Sequence, residues 1–319
     1  MTAVTRLVAD VGGTNTRVAL FDEASGQYRA ISSYNNREFQ GLEQVFEQWL
    51  AQLSEPRPSA ACIAIAAALA GDQVAMVNIG WSFSRSGLAR NLGFDQCRFI
   101  NDFEANAYAL PHLRDEHLAS LHPGKPSEHQ TLAVVGPGTG LGGATLRKVD
   151  GQAFAVSAEP GHAGLSPGNE LEAAIFSSLL PKYGNIYSEL LVSGAGLSRL
   201  YTTVTEIHGD IPLPLEPAQV SSSALDGSNE HCVLALDTFC ALLGSACGDF
   251  LLHNGAFGGL YIAGGIVPRM VEYLRRSSFL ERLQDKGAMR ENLAEVSVKV
   301  ITADHPGLIG AANISLQDG

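Results

Sequence analysis

Short apolar runs alternate with one segment of helical periodicity along the N-terminal third of the chain. The apolar side chains of Leu42, Val45, Phe46 and Trp49 recur at helical spacing, which predicts an amphipathic helix over residues 41–53. Residues 62–68 are apolar at every position and predict a strand that is buried on both faces. Further strands are predicted over residues 7–9, 18–21, 28–34 and 98–100, and a helix over residues 103–110 that ends before Pro111.

The remainder of the chain repeats the alternation with longer helices. Strands are predicted over residues 131–135, 143–149, 153–157, 259–263 and 296–302, and helices over residues 169–180, 194–207 and 230–253. A loop over residues 121–130 precedes this second set, which sets a domain boundary near Pro111. A short final helix near Ala311, opened by Pro306, is predicted to pack back on the first domain. The pattern predicts an α/β protein with domains 1–110 plus 302–319 and 111–301.

Composition narrows the function classes. The 319 residues are 45% hydrophobic and 17% charged, as in soluble globular enzymes. A net charge of −12, without a Lys/Arg run, argues against a nucleic-acid partner. The chain shows no secretory leader and no apolar run of the roughly 18 residues that a membrane helix needs, so we expect a cytoplasmic protein without a membrane partner. The five cysteines are scattered and predict free thiols: Cys62, Cys97, Cys232, Cys240 and Cys247.

Two glycine-rich turns each follow a predicted strand directly. Glycines let backbone amides approach a polyphosphate, and nearby Thr and Asn side chains add hydrogen-bond donors. The predicted phosphate-binding positions are Gly12, Gly13, Thr14 and Asn15 in the first turn and Gly138, Thr139 and Gly140 in the second. The first turn returns into a strand and lacks the Walker lysine, which disfavours both the Rossmann and the P-loop folds.

Two polar groups elsewhere suit chemistry on a phosphate and a sugar. Asp102, after Asn101, could accept the proton of a hydroxyl that attacks a γ-phosphate. It could equally be an N-cap of the helix predicted from Phe103, and the residues alone leave both roles open. Glu159 and His162 stand on a stiff loop and offer the fixed polar groups that a hexose pocket needs, although a lone loop histidine is usually a surface residue.

Four segments together resemble the bacterial glucokinases: residues 10–15, 100–102, 136–142 and 262–269. The similarity extends from Leu7 to about Ala312. It implies the two-lobed ribonuclease-H-like (actin-like ATPase) fold of the hexokinase, actin and heat-shock-chaperone superfamily, with a mixed β-sheet flanked by helices in each lobe. The smaller lobe is then residues 1–110 plus 302–319, and the larger is residues 111–301.

The resemblance implies a homodimeric enzyme that uses ATP and Mg²⁺ to phosphorylate the 6-hydroxyl of D-glucose, the first step of glycolysis. It assigns the catalytic base to Asp102, and it places Asp10 near the magnesium ion, through water; local sequence alone also allows Asp10 to bond turn amides. The implied sugar ligands are Asn78, Asn101, Asp102, Glu159, His162 and Glu189. Gly264 and Gly265 are expected to line the adenine pocket.

The chain departs from the family pattern at two positions. Ala68 stands where relatives often carry proline, and Pro160 stands where they often carry a second glycine. Pro160 resembles the related repressor and sugar-kinase group, but the cysteine-rich zinc motif of that group is missing. Two alternatives therefore stay open: a kinase of fructose, mannose or an N-acetylated amino sugar, and a non-catalytic ATP-switched binding protein of the same superfamily.

Overall fold

The computed structural model describes residues 5–76, 79–127, 129 and 131–316. These residues form two compact units. The first contains the described residues up to Leu113 together with those from Ala303 onward, and the second runs from Arg114 to Thr302. The two chain segments of the first unit are therefore separated by the whole of the second.

The first unit is built on a five-stranded sheet in the order β3-β2-β1-β4-β7. Its elements up to Leu113 are β1 (Thr5–Val11), β2 (Asn15–Asp22), β3 (Gln27–Asn35), α1 (Leu42–Gln52), β4 (Ala60–Ile65), β5 (Gln73–Met76), β6 (Trp81–Ser84), α2 (Arg85–Leu92), β7 (Gln96–Asn101) and α3 (Asp102–Ala109). Strands β1, β2 and β3 are antiparallel neighbours, whereas β1, β4 and β7 run parallel. Strands β5 and β6 pair as a separate hairpin.

The second unit contains a six-stranded sheet in the order β11-β10-β9-β12-β13-β8. Its elements are β8 (Leu118–His122), β9 (Thr131–Pro137), β10 (Leu141–Val149), β11 (Gln152–Ala158), α4 (Glu170–Tyr183), α5 (Ser188–Leu191), α6 (Gly194–Ile207), α7 (Pro217–Leu225), α8 (Glu230–Asn254), β12 (Leu260–Ile262), α9 (Val271–Arg276), α10 (Phe279–Gln284), α11 (Arg290–Ala294) and β13 (Val298–Ile301). The chain then returns to the first unit with α12 (Pro306–Asn313).

The two sheets share one arrangement of strands. Strand β1 of the first sheet and strand β9 of the second each lie between an antiparallel hairpin on one side and two parallel strands on the other. The second sheet adds β8 as an antiparallel edge strand beside β13. Since β1 and β9 each lead into a glycine-rich turn and then into an antiparallel partner strand, the two predicted phosphate turns lie at equivalent places in the two units.

Alternate residues of the first sheet face two separate apolar layers. Leu7 and Ile63 pack on the side of α1, whose Trp49 donates from Nε1 to the carbonyl oxygen of Ala30 at 2.9 Å. Val8 and other residues of the opposite face pack with Leu308 and further side chains of α12. All six residues of β4 are buried, which confirms the strand predicted from its continuous apolar run, although it ends at Ile65.

A buried arginine ties the start of the chain to its end. Arg6, on β1, is 5% exposed and donates from Nη1 to the carbonyl oxygen of Ile314 at 2.9 Å. Its Nη2 donates to the carbonyl oxygen of Ala312. Both acceptors lie at or just beyond the end of α12, so these bonds hold the returning segment against the first strand.

The second core is organised around α8, a helix of 25 residues. Among the described residues it is the one helix long and apolar enough, by length and composition, to cross a membrane. Most of its apolar stretch, 78%, is buried inside the protein, where it packs against α6, α7 and α10. Helix α8 is therefore the central core helix of this unit.

Several sequence predictions need correction. The loop predicted over residues 121–130 begins within strand β8, whereas the final helix begins at Pro306, as predicted, and includes Ala311. Proline fits the first turn of a helix because the missing N–H has no intrahelical partner there. Elements β5, β6, α2, α7 and α9 to α11 were not predicted, since they are short or have mixed polarity.

Candidate active site

The first glycine turn joins β1 to β2 and is fastened by a buried amide side chain. Asn36 is 2% exposed and donates from Nδ2 to the carbonyl oxygen of Gly12 at 2.7 Å. Its Oδ1 accepts from the hydroxyl of Thr16 at 2.7 Å, and its backbone N–H donates to the carbonyl oxygen of Thr14 at 2.9 Å. The turn is closed by a bond from the N–H of Gly12 to the carbonyl oxygen of Asn15 at 3.0 Å. The exposed residue at its tip is Thr14.

Asp10 lies one residue before the end of β1, opposite Arg17 in the β1–β2 pairing. Its Oδ2 is 3.5 Å from Nη1 of Arg17. Burial raises the pKa of the Asp10 carboxyl, while Arg17 and His305 act in the opposite direction. A Cβ at Gly307 would lie 2.8 Å from Cγ of Asp10, so the first turn of α12 packs directly on this carboxyl group.

Asp10 offers a single carboxylate to a magnesium ion. Among the described residues, no group of three or more His, Cys, Asp or Glu side chains could hold a metal ion. A single carboxylate is nevertheless compatible with Mg²⁺, which keeps several waters and takes further oxygens from a nucleotide. Desolvation dominates the raised pKa of Asp10, and a nearby cation would favour the ionised carboxylate. The residues therefore fit a magnesium ion that arrives with a polyphosphate.

The Asn-Asp pair marks the junction between β7 and α3. Asn101 is the N-cap of α3, since its Oδ1 accepts from the N–H of Phe103 at 2.9 Å and of Glu104 at 3.4 Å. Asp102 is half-buried and is the first residue of the helix. The alternative interpretation of Asp102 as N-cap is therefore wrong, because its neighbour performs that role.

The strand register brings this pair to the same sheet edge as the first turn. Val11 lies beside Ile65 in the β1–β4 pairing, and Ile65 lies beside Asn101 in the β4–β7 pairing. All three residues end parallel strands. The carboxyl ends of parallel strands are a common place for ligand sites, and the first turn and Asp102 both lie at this edge of the sheet.

The second glycine turn joins β9 to β10 and is fastened differently. The N–H of Gly138 donates to the carbonyl oxygen of Gly140 at 2.7 Å, and the N–H of Gly194 donates to that of Gly138 at 2.9 Å. The N–H of Leu141 donates to Oε2 of Glu189 at 2.8 Å. Thr139 is exposed at the tip, like the threonine of the first turn.

The predicted sugar loop follows β11 and includes a single 3-10 turn, Pro160–His162. Glu159 and His162 are exposed. The ring of His162 lies 5.7 Å from that of Tyr187, and the N–H of Ser188 donates to the carbonyl oxygen of Ala163 at 2.9 Å. These contacts bring α5, which carries Glu189, beside the loop. Glu189 is half-buried rather than solvated, so a bare sequence pattern would have misjudged it.

Gly264 and Gly265 follow the carboxyl end of strand β12, where Ile262 lies beside Val135 of β9. A Cβ at Gly264, where φ is +88°, would lie 2.4 Å from the carbonyl oxygen of Pro137. A Cβ at Gly136 would in turn lie 2.7 Å from the carbonyl carbon of Ala263. Only glycine allows the two strand ends to approach so closely. Gly265 faces open space, and its place in an adenine pocket stays a prediction.

The predicted site residues thus form two groups, each within one unit. The first unit contains Asp10, Gly12, Gly13, Thr14, Asn15, Asn101 and Asp102, and the second contains Gly138, Thr139, Gly140, Glu159, His162, Glu189, Gly264 and Gly265. Asn78 lies outside the described residues. Sequence reasoning missed Asn36 and the contributions of Arg17 and His305. Only the turn-forming tendency of consecutive asparagines marks Asn36 in the sequence, and that signal carries no information about its partners.

Comparisons with known proteins agree on one family. A family model described as glucokinase matches residues 7–318. The glucokinase of Cronobacter sakazakii is 40% identical over 305 residues, which cover 96% of this chain and 95% of that protein. The crystal structure of glucokinase from an Antarctic psychrotroph superposes with a TM-score of 0.86 at 37% identity, covering 97% of this chain and 98% of that one.

A more distant solved structure shows the fold alone. It is a ROK family glucokinase from Streptomyces griseus in complex with glucose and AMPPNP, with a TM-score of 0.67 and 20% identity. The match covers 98% of this chain and 99% of that one.

Proposed function

Because this chain belongs to the glucokinase family, we propose that it transfers the γ-phosphoryl group of ATP to the 6-hydroxyl of D-glucose with Asp102 as general base. The family, the enzyme class and the activity predicted from the sequence, phosphorylation of glucose by ATP, are confirmed by the family model and by the relatives named glucokinase. The predicted fold class, two-lobed with a mixed sheet and helices in each lobe, is confirmed by the solved glucokinase structures.

Asp102 suits the role of the base for two reasons. It stands at the first position of α3, whose positive end favours the ionised carboxylate that accepts a proton. It also adjoins the sheet edge that carries the first phosphate turn, because Val11, Ile65 and Asn101 lie in one row. In phosphoryl transfer, positioning and electrostatic stabilisation supply most of the catalysis, so a carboxylate fixed near the phosphate turn is what the reaction requires.

Each glycine turn would bind phosphate through its backbone amides and the exposed hydroxyl of its threonine, Thr14 in the first turn and Thr139 in the second. The donors of the first turn are supplied by Gly12, Gly13, Thr14 and Asn15, and those of the second by Gly138, Thr139 and Gly140. Asp10 would hold magnesium through water, and the ion would neutralise phosphate charge. Adenine would lie against Gly264 and Gly265.

The sugar would bind the polar side chains that the sequence predicts as its ligands. Glu159 and His162 are exposed, and carboxylates and imidazoles can accept or donate to hydroxyl groups. The described side-chain hydrogen bonds of Asn101 use its Oδ1, and its Nδ2 group is the donor that we assign to a sugar hydroxyl. Glu189 would complete the set, and Asn78 remains a predicted ligand.

The observation that carries this proposal is the row that sets Asn101 and Asp102 beside the first phosphate turn. The test is Asp102→Ala, for which we expect kcat to fall at least about 100-fold while glucose binding persists, because general base catalysis contributes about 10²–10⁴-fold. Turnover would be followed by a coupled assay for glucose 6-phosphate, and glucose binding by calorimetry.

Asp95→Ala is the matched control, because this exposed aspartate precedes the opposite end of the same strand β7. It should leave kcat unchanged. If Asp102→Ala turned over glucose at the wild-type rate, another group would have to be the base.

We also propose the finer properties that the family resemblance implies: a homodimer, a cytoplasmic location, and preference for glucose over fructose, mannose and N-acetylated amino sugars. A coupled assay over these sugars tests the preference, and a higher kcat/KM for another hexose would refute it. A light-scattering mass tests the dimer. We further propose that residues 1–110 with 302–319 form the smaller lobe and residues 111–301 the larger one, supported by the compact units that divide after Leu113 and after Thr302.

A further inference from the structure

The side chain of Glu189 reaches the second glycine turn from a distant part of the chain. Glu189 lies on α5, and its Oε2 accepts a hydrogen bond from the N–H of Leu141 at 2.8 Å. Leu141 is the first residue of β10, directly after Gly140. A hydrogen bond from an amide to a carboxylate is charge-assisted and about twice as strong as one between neutral groups. The carboxylate therefore restrains the backbone where the turn enters the strand.

The carboxylate also fills the space beside two glycines. A Cβ at Gly140 would lie 2.4 Å from Oε2 of Glu189, and a Cβ at Gly161 would lie 3.1 Å from the same oxygen. Gly161 belongs to the predicted sugar loop, and its Cβ would also lie 2.6 Å from the carbonyl oxygen of Leu141. The phosphate turn and the sugar loop thus meet around one carboxylate group. Neither glycine can gain a side chain without a shift of its neighbours.

The backbone that carries Glu189 is itself anchored. Arg199, on α6, donates from Nη1 to the carbonyl oxygen of Leu190 and from Nε to the hydroxyl of Tyr183 at 3.0 Å. The hydroxyl of Ser188, a residue 2% exposed, donates to the carbonyl oxygen of Ala163 at 3.2 Å. Because α5 is only four residues long, these tertiary bonds fix its position. Glu189 is presented to Leu141 from a rigid base.

We propose that Glu189 is a positioning residue for the second phosphate turn, and that it does this work before any sugar binds. This rests on the proposed function of that turn as a phosphate site. A glycine-rich turn has many accessible conformations, and ordering it on nucleotide binding costs affinity. The bond from Leu141 to Glu189 holds the turn in its binding conformation in advance. Loss of the bond therefore weakens nucleotide binding even without glucose, which loss of a sugar ligand alone does not do.

The experiment compares Glu189→Ala with Glu189→Gln by titrating MgADP into each protein without sugar. Alanine leaves the N–H of Leu141 without its acceptor, and we expect MgADP to bind about 10-fold more weakly, as befits the loss of one charge-assisted bond. Glutamine keeps a carbonyl oxygen for the same N–H, so its affinity for MgADP should stay within about 3-fold of wild type. The KM for ATP should rise in the alanine variant in parallel with the dissociation constant.

Glu159→Ala is the matched control, because Glu159 is the carboxylate of the sugar loop and its backbone oxygen bonds within that loop, to the N–H of His162. It should lose glucose affinity and keep the wild-type affinity for MgADP. Thermal unfolding of every variant separates a local effect from a loss of fold.

Wild-type affinity for MgADP in Glu189→Ala would overturn the proposal, and so would an equal loss in the alanine and glutamine variants. A different result would contradict the proposed function instead: wild-type protein that binds no MgADP, or glucose affinity that is unchanged in both Glu159→Ala and Glu189→Gln. The two failures are therefore distinguishable.

Discussion

The two glycine turns occupy equivalent places in two sheets that share one arrangement of five strands, yet they are built differently. The first is fastened by the neutral amide of Asn36, which lies just past the end of the neighbouring strand β3. The second is fastened by the carboxylate of Glu189, which comes from a short helix 48 residues further along the chain. The shared topology sets where a turn lies, and the details of its stabilisation arise separately in each unit.

The two turns also differ in the charged side chains around them. Asp10 lies on the strand that enters the first turn, and its pairing with Arg17 at 3.5 Å is long for a strong ion pair. Residues 136–142 of the second turn carry no charged side chain, and the nearby carboxylate of Glu189 already binds a backbone N–H. The first turn therefore suits a cation bound with phosphate, whereas the second offers amide and hydroxyl donors.

We expect the largest change in stability when the side chain that holds the first turn, Asn36, is removed. Asn36→Ala removes two hydrogen-bonding atoms, Nδ2 and Oδ1, and leaves the carbonyl oxygen of Gly12 and the hydroxyl of the buried Thr16 without those partners. We expect the free energy of unfolding to fall by about 2–4 kcal/mol, because each buried polar group left without a bond costs about 1–3 kcal/mol. Urea unfolding measures the change.

Asn35→Ala is the adjacent control, since Asn35 is exposed and its side chain accepts from the N–H of Arg37 at 3.2 Å. Its cost should stay below about 1 kcal/mol, as for other exposed caps. Equal losses in the two variants would mean that Asn36 does not fasten the turn as we describe.

We expect an effect of intermediate size from replacing a glycine of either turn with alanine, and the size should differ between the two turns. A Cβ at Gly12 would lie 3.4 Å from the carbonyl oxygen of Asn15, an ordinary contact, whereas a Cβ at Gly140 would lie 2.4 Å from Oε2 of Glu189. We expect Gly140→Ala to lower the free energy of unfolding by about 1–3 kcal/mol through overpacking, and Gly12→Ala to lower it by less. Urea unfolding without ligands tests both, and the reverse order would show that the carboxylate moves aside at little cost.

The smallest effect concerns the hairpin that follows the first turn. The carboxyl group of Asp22 has a lowered pKa because it accepts from the backbone N–H groups of Ser25 and Ala24 and lies beside Arg29. A lowered pKa in the folded state contributes stability above the unfolded value near 3.8, and that contribution is lost as the pH falls through the folded value. Asp22→Asn should therefore lower the Tm at pH 7 and have a smaller effect at about pH 3. A Tm difference of the same size at both pH values would contradict this account.

The equivalent hairpin of the second unit reverses through backbone conformation instead. Asp150 and Gly151 both have positive φ, +50° and +82°. Asp-Gly in this conformation matches the twist of a two-residue hairpin turn. This hairpin turn is therefore set by backbone conformation, whereas the turn after β2 is held by the side chain of Asp22.

Local patterns predicted the elements whose burial is regular. Helix α1 was recognisable because its apolar residues recur at helical spacing. Strand β4 was recognisable because its residues form one continuous apolar run. The hairpin of β5 and β6 was missed, since each strand has only four residues. Short elements take their stability from neighbours that a sequence window does not contain.

The candidate site was predictable only in part, and for a related reason. The glycine turns and the pair Asn101 and Asp102 follow strands directly, so local sequence marks them. Glu189 was found through the family resemblance alone, and Asn36 was not found, because both act through tertiary contacts. The roles assigned to these residues in binding and catalysis stay predictions until the variants are measured.

The return of the chain to the first unit has a consequence for biosynthesis. Arg6 is synthesised before the second unit, but the carbonyl oxygens that it binds belong to Ala312 and Ile314, which are synthesised after that unit. The second unit is continuous from Arg114 to Thr302 and can close its core as soon as it leaves the ribosome. The first unit must wait, with the surface that α12 covers still exposed. The unit that begins first is therefore the one that folds last.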